Sequence, residues 1–135
     1  MPEGKGYGIQ DTFTTIKGLN VVGNHAYAYS GEQTTTTTAK DQIVFTTGNY
    51  YFLADIYFNG GVQEGTATGA ISTCQTTLNG ISVSLMRVNS TADDQPSTQN
   101  NIILIPPFTE CICSVDSTST ETAQTSVAIT GRIYK

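Results

Sequence analysis

The stretch "ISVSLMRV", residues Ile81 to Val88, decides the fold class. Apolar and polar side chains alternate strictly from Ile81 to Leu85, and a period of two belongs to a pleated strand rather than to a helix. Ile81, Val83 and Leu85 therefore share one face, and Ser82, Ser84 and Met86 share the other.

Working outward, the neighbouring segments are also short apolar runs separated by turn residues. "LNVVGNHAYAY" (19–29) comes first, "SGEQ" interrupts, and "TTTTTAKDQIVFTT" (34–47) forms a second strand region ended by Gly48-Asn49. "YYFLADIYF" (50–58) is the most apolar run, and Asn59-Gly60-Gly61 after it reads as a Gly-rich turn. A strand around Ile71 precedes the opening stretch. Asn89 to Asn101 reads as an exposed loop, and "IILI" (102–105) is stopped by Pro106-Pro107, because proline cannot donate to a ladder. "FTECICSV" and "SVAITGRIY" follow, on either side of a polar loop from Asp116 to Gln124. About eight strands with no helical period predict an all-β chain, a single jelly-roll-like or Greek-key β-sandwich. Residues 1–18, rich in glycine and poor in apolar side chains, read as an extended N-terminal arm, and 19–135 as the sandwich domain.

Composition agrees. Hydrophobic residues make up 38% of the 135 and charged residues only 13%, about half the ordinary charged share. Threonine fills much of the gap; its β-branched side chain loses rotamer freedom in a helix and sits well on a sheet. The length suffices for one buried core. Net charge is −5, and the six basic residues (Lys5, Lys17, Lys40, Arg87, Arg132, Lys135) are scattered, which argues against nucleic acid as a partner. No apolar run approaches the ~20 residues that cross a bilayer, and the N-terminus lacks the apolar core of a secretory signal, so a soluble chain with no membrane partner is expected.

Three cysteines and one histidine are the obvious candidates for chemistry. In a strand Cys111 and Cys113 share a face with Thr109 and Val115, while Glu110, Ile112, Ser114 and Asp116 share the other. The polar residues gather on the second side, so the cysteines are expected to point inward as buried structural thiols. A disulfide between them is poor geometry, because Cα atoms two apart on a strand lie near the ~7 Å limit with parallel Cβ vectors. A zinc site lacks the paired ligand spacing that would identify one, and no cofactor is implied.

His25 shares its face with Tyr27 and Tyr29. That stripe is either a docking surface for a protein or sugar, or a satisfied histidine beside core tyrosines. A nucleophilic mechanism would have to run through His25. Asp93, Asp94, Glu110, Asp116 and Glu121 include no pair whose spacing marks a glycosidase. Asp55 alternates with Tyr51, Leu53 and Tyr57, so it sits at a protomer interface or on a partly wet face. Thr34 to Thr38 reads as an exposed edge rather than an ice-binding array, since consecutive residues alternate faces.

The segments "GNHAYAYSG", "FTTGNYYFLADIYFNG", "LNGISVSLMRV", "IPPFTECICSVDS" and "TSVAITGRIYK" together resemble small β-sandwich virion structural proteins of tailed phages and related viruses. The strongest likenesses are "FTTG-x-YYF", "IPPFT" and the closing "TGR-x-Y", over about Gly23 to Lys135. The resemblance implies a capsid decoration, or cement, protein without enzymatic activity. It would be made in the host cytoplasm and held on the capsid surface, with the major capsid protein and its own copies, as a homotrimer, for partners. On that expectation the contact residues are Tyr7, Ile9 and Phe13 of the arm, Tyr27 and Tyr29, Asp55, and Arg132. A receptor- or glycan-binding head domain of a tail fibre is the alternative, and a small hydrolase using His25 or a carboxylate pair in a cleft a third reading.

Overall fold

Alternation is carried through almost every segment, and the computed structural model accordingly consists of strands. It describes residues 18–63, 70–90, 97–118 and 123–135; the expected arm, with Tyr7, Ile9 and Phe13, lies outside them. The strands are β1 (Asn20–Val22), β2 (His25–Tyr29), β3 (Gln33–Thr35), β4 (Lys40–Thr46), β5 (Tyr51–Gln63), β6 (Ala70–Leu78), β7 (Ile81–Ser90), β8 (Ser97–Ile105), β9 (Glu110–Ser117) and β10 (Ala123–Tyr134). They form two antiparallel sheets. The smaller runs β4-β9-β6-β7, and the larger β1-β2-β10-β5-β8 with β3 added on β10.

With β1 and β3 set aside, the remaining eight strands, numbered 1 to 8 along the chain, lie in the orders 1-8-3-6 and 2-7-4-5. That is the jelly-roll arrangement, two Greek keys wound into a sandwich. Ten strands stand where about eight were expected, for two local reasons. Gly23, at φ +61, turns the first run back on itself, and β3 leaves the threonine run to pair with β10.

The core fills the space between the sheets. Phe52, Ile56 and Phe58 of β5 meet Val127, Ile129 and Ile133 of β10, and the smaller sheet supplies Ile43, Cys74, Met86, Val88 and Val115. Phe45 and Phe52 bridge the sheets edge to face, with ring centroids 6.3 Å apart. At one place hydroxyls replace hydrocarbon: buried Thr35 and Thr125 share a hydrogen bond of 2.5 Å, and Gln42 Nε2 donates to Thr125 Oγ1 at 3.2 Å.

Three expectations are corrected. Asn59-Gly60-Gly61 is not a turn but part of β5. Gly60 pairs with Thr125 and Gln63 with Ala123, so β5 carries one residue more than its partner there, a bulge that glycine accommodates. The loop read over Asn89 to Asn101 is shorter, since β7 continues to Ser90 and β8 begins at Ser97. Likewise β9 runs to Ser117 and β10 starts at Ala123, trimming the loop read from Asp116 to Gln124. Polar strands of this kind are carried by ladder bonds and not by apolar alternation.

Turns lock the register. Asn79 (φ +52) and Gly80 (φ +84) close the β6–β7 hairpin, as an Asn-Gly pair does in a two-residue turn. Asn79 also ties into β9, its main-chain N–H donating to Glu110 O and its Oδ1 accepting from Glu110 N, both at 2.9 Å. After Pro106-Pro107, Phe108 adopts φ +54, a left-handed conformation that costs a bulky residue energy. It is held there from both sides: Phe108 N donates to Gly48 O, Thr109 N to Thr47 Oγ1, and Thr47 Oγ1 to Pro106 O at 2.7 Å.

At Gly131 the two central strands of the large sheet come unusually close. A methyl group on this residue would run into the Leu53 carbonyl and the Phe52 ring. Because the obstacle includes main chain, the ladder and not a side chain has to move. Gly131→Ala is therefore expected to destabilise the fold by about 3 kcal/mol or more, read as a lowered urea midpoint; an unchanged midpoint would contradict the packing described.

Candidate functional site

Side chains directly opposite in an antiparallel ladder lie on the same face, so register alone shows which residues meet. On the outer face of the large sheet Val22, His25, Arg132, Leu53 and Leu104 form one cross-strand row. Asn20, Tyr27, Thr130, Asp55 and Ile102 form the next, and Tyr29, Ala128, Tyr57 and Asn100 a third. Tyr51 and Tyr134 extend the face at one end. Four residues singled out on three separate stretches of sequence, Tyr27, Tyr29, Asp55 and Arg132, thus stand on one surface.

The histidine–tyrosine stripe faces outward: His25 and Tyr29 are exposed, Tyr27 is half-buried, and Ala26 and Ala28 take the core. The reading of a histidine beside core tyrosines is thereby corrected. Alanine is the side that fits against the opposing sheet, because the aromatic bulk there already comes from Phe45, Phe52 and Phe58. His25 makes no side-chain hydrogen bond among the described residues. Leu53, Tyr57, Ile102 and Leu104 belong to the same face and had not been singled out. The signal for the first two was their alternation against Phe52, Ala54, Ile56 and Phe58.

The polar groups on the face are few and partnered. Asp55 is half-buried and accepts from Asn100 Nδ2 at 2.9 Å. Its hydrogen bond and its charge push the Tyr57 phenol above its ordinary pKa, which keeps that hydroxyl a neutral donor. Arg132 lies 5.6 Å from the Tyr134 ring centroid, and the Tyr27 and Tyr29 rings tilt together at 5.1 Å. Beyond the third row the face dips into a shallow depression of about 350 Å³ beside Tyr29, lined also by Glu32, Asn59, Gln124 and Ser126. Asn59 is fixed there between Ser126 Oγ (3.1 Å) and Thr98 Oγ1 (2.8 Å). Such a surface offers stacking, hydrogen bonding and apolar contact.

The thiols occupy a different layer. Cys74, Cys111 and Cys113 are free and fully buried on the inner face of the small sheet. Cys113 pairs with Thr76, whose hydroxyl lies 3.5 Å from its sulfur, and Cys74 pairs with Val115. Hydrogen bonding to the Cys113 sulfur, reinforced by burial, pushes the pKa of Cys74 and Cys111 far up, while Cys113, bonded to both neighbours, is drawn down. Among the described residues no group of three His, Cys, Asp or Glu side chains is placed to hold a metal ion, and no helix is long and apolar enough to cross a membrane.

The strand order defines a class of fold: a jelly-roll β-sandwich. Among solved structures the chain is similar to a chain of the T13 IBDV viral particle, with TM-score 0.54 and 9% identity over 80% of this chain and 31% of that one. It is likewise similar to the VP2 subviral particle of infectious bursal disease virus, with TM-score 0.51 and 11% identity over 80% and 32%. The chain spans about a third of the length of these proteins, and at such identities the likeness is one of fold. No protein-family model matches the sequence, and no curated protein matches it.

The raised thiols give a pH dependence of stability. Above about pH 8.5 the unfolded chain ionises Cys74 and Cys111 while the folded chain keeps them protonated, so stability falls as pH rises, by up to about 1.4 kcal/mol per unit for each thiol. Urea unfolding between pH 9 and 10, above the range near pH 8.5 and below in which the lowered Cys113 works against it, should show this slope, and Cys74→Ala should reduce it. A thiol reagent at pH 8 should label no cysteine before unfolding; rapid native labelling at Cys111 or Cys113 would contradict their burial.

Proposed function

We propose that this protein is a non-enzymatic virion component that decorates a capsid, seating the outer face of its large sheet on the coat lattice. The observation that carries this reading is the face itself. Tyr29, Leu53, Tyr57, Ile102 and Leu104 remain exposed together, with one carboxylate and one guanidinium among them. Tyrosine and aliphatic side chains with few charges are the composition of an interface core. The jelly-roll fold shared with virus-particle chains is compatible with it, as is a rigid scaffold poor in charge.

On this reading the protein is made in the host cytoplasm and ends on the capsid surface. Its partners are the major capsid protein and its own copies, as a homotrimer, whose repeated contacts multiply individually weak ones. The N-terminal arm, with Tyr7, Ile9 and Phe13, would reach to neighbours. A phage origin is supported by the sequence resemblance alone.

A second reading, a glycan-binding head domain of a tail fibre, is favoured by one feature, the depression beside Tyr29. An exposed ring flanked by Glu32, Asn59 and Gln124 is the chemistry that receives a sugar ring.

Leu53→Glu and Tyr57→Ala alter exposed positions and should leave folding intact. Their combination is expected to lower occupancy on stripped capsids about tenfold or more; undiminished occupancy by the folded variant would overturn the docking face. On a glycan array the coat-binding reading expects no signal. Sugar binding that is lost in Tyr29→Ala and retained in Leu53→Glu would instead establish the second reading.

A further inference from the structure

Asparagine followed by glycine is the dipeptide most open to spontaneous loss of the side-chain amide, because glycine puts no side chain in the way when its main-chain nitrogen attacks the preceding Cγ. The chain holds two such pairs, Asn59-Gly60 and Asn79-Gly80, and the fold treats them oppositely. Asn59-Gly60 lies inside β5, registered against Ser126 and Thr125 of β10 on one side and Thr98 and Ser97 of β8 on the other. Gly60 is buried, and both ends of the Asn59 side chain are held: Nδ2 donates to Ser126 Oγ at 3.1 Å, and Oδ1 accepts from Thr98 Oγ1 at 2.8 Å.

Asn79-Gly80 is the two-residue turn of the β6–β7 hairpin, and both residues are exposed. Their φ values of +52 and +84 are those of a type I′ turn. Only one end of the Asn79 side chain is held, Oδ1 by Glu110 N at 2.9 Å; Nδ2, the group that would leave, has no hydrogen bond among the described residues. Releasing Asn79 takes its two bonds to Glu110 and the end of one hairpin, whereas releasing Asn59 takes the parting of three strands of the large sheet. Local openings of the first kind are far more frequent than those of the second.

We propose that Asn79 is a site of spontaneous deamidation and isomerisation in the folded protein, and that its conversion to isoaspartate undoes the hairpin. Gly80 N gives up its proton and bonds to Asn79 Cγ; the Cγ–Nδ2 bond breaks, and Nδ2 leaves as ammonia with that proton. Water then opens the five-membered imide at either carbonyl. Opening at Cγ leaves aspartate, and opening at the main-chain carbon leaves isoaspartate, whose chain runs on through Cβ and Cγ. Water is the only co-reactant. Isoaspartate lengthens by one carbon a turn that fits two residues, and it draws into the main chain the carbonyl that accepts from Glu110 N. The pairing of Leu78 with Ile81 and the tie to β9 are lost together. Aspartate keeps both the chain length and an acceptor for Glu110 N. The inference does not depend on what either outer face binds.

The folded chain, held at pH 8 and mapped with chymotrypsin, should show the amide-to-acid mass change at Asn79 at least about tenfold faster than at Asn59. In urea the gap should close, because both pairs are then the same dipeptide in an open chain. Equal rates in the folded chain, no reaction at Asn79 over a period that converts it in urea, or a gap that persists in urea would each overturn the proposal. The isoaspartate form, identified with an isoaspartate-specific methyltransferase, should unfold at a lower urea concentration than the fresh chain. Asn79→Asp adds the same charge without lengthening the turn and should keep a midpoint near the fresh value. An isoaspartate form with the fresh midpoint, or an equal loss in Asn79→Asp, would overturn the consequence drawn for the hairpin.

Discussion

The approach of β10 to β5 at Gly131 is the constraint on which the rest of the molecule depends. Eleven residues of β10 are registered against β5, and the absence of a side chain at Gly131 lets the Leu53 carbonyl and the Phe52 ring lie against it. With that pair in place, Phe52, Ile56 and Phe58 are committed to the interior and Tyr51, Leu53, Asp55 and Tyr57 to the exterior. A slip of one residue would exchange the two sets. The outer face owes its composition to this register: Arg132 stands between His25 and Leu53, and Thr130 between Tyr27 and Asp55, because β10 is threaded between β2 and β5 in this register and no other.

What could be read from the sequence follows from the range of the physics involved. Parity along one strand is local, so the inward set Cys111, Cys113 and Val115 and the stop at Pro106 were legible. Which side of a strand faces the core is not local when both sides carry apolar groups. In "ISVSLMRV" the longer aliphatic row, Ile81, Val83 and Leu85, lies outside, while Met86 and Val88 continue the core with Ser84 bonded to Asn101. In "HAYAY" the small alanines lie inside because Phe45, Phe52 and Phe58 already occupy the volume. Asn59-Gly60-Gly61 has the chemistry of a turn, yet the ladder to β10 absorbs it as a bulge. Tyr27, Asp55 and Arg132 could be named separately; that they share a face depends on strand partners separated by up to about a hundred positions, which no local pattern encodes.

Hydroxyl-rich strands explain how so few aliphatic residues make a stable sandwich. Thr35, Thr76, Thr109, Thr125, Ser72 and Ser84 are buried, and most of them are bonded to one another, to a sulfur or to main chain. Burying such groups is costly unless they are paired, and a paired set is specific about its partners. Among the described residues Gln42 Oε1 and Ser72 Oγ are buried without a hydrogen-bond partner. The aliphatic residues spared from the interior are those exposed on the outer faces of the two sheets.

The central position of β10 also governs when the molecule can form. The strand that joins β2 to β5 follows all the other described strands in sequence, and β3 waits on it as well. Until residues 123–134 are available, β5 has β8 on one side and nothing on the other, and its long apolar edge is open. Pairings this distant close large loops and are slow to form. The small sheet, by contrast, holds the β6–β7 hairpin, whose Asn79-Gly80 turn pairs Leu78 with Ile81, only three positions apart. Folding should therefore begin there and finish with β10, which makes the closing strand the step at which a nascent chain is most exposed to aggregation.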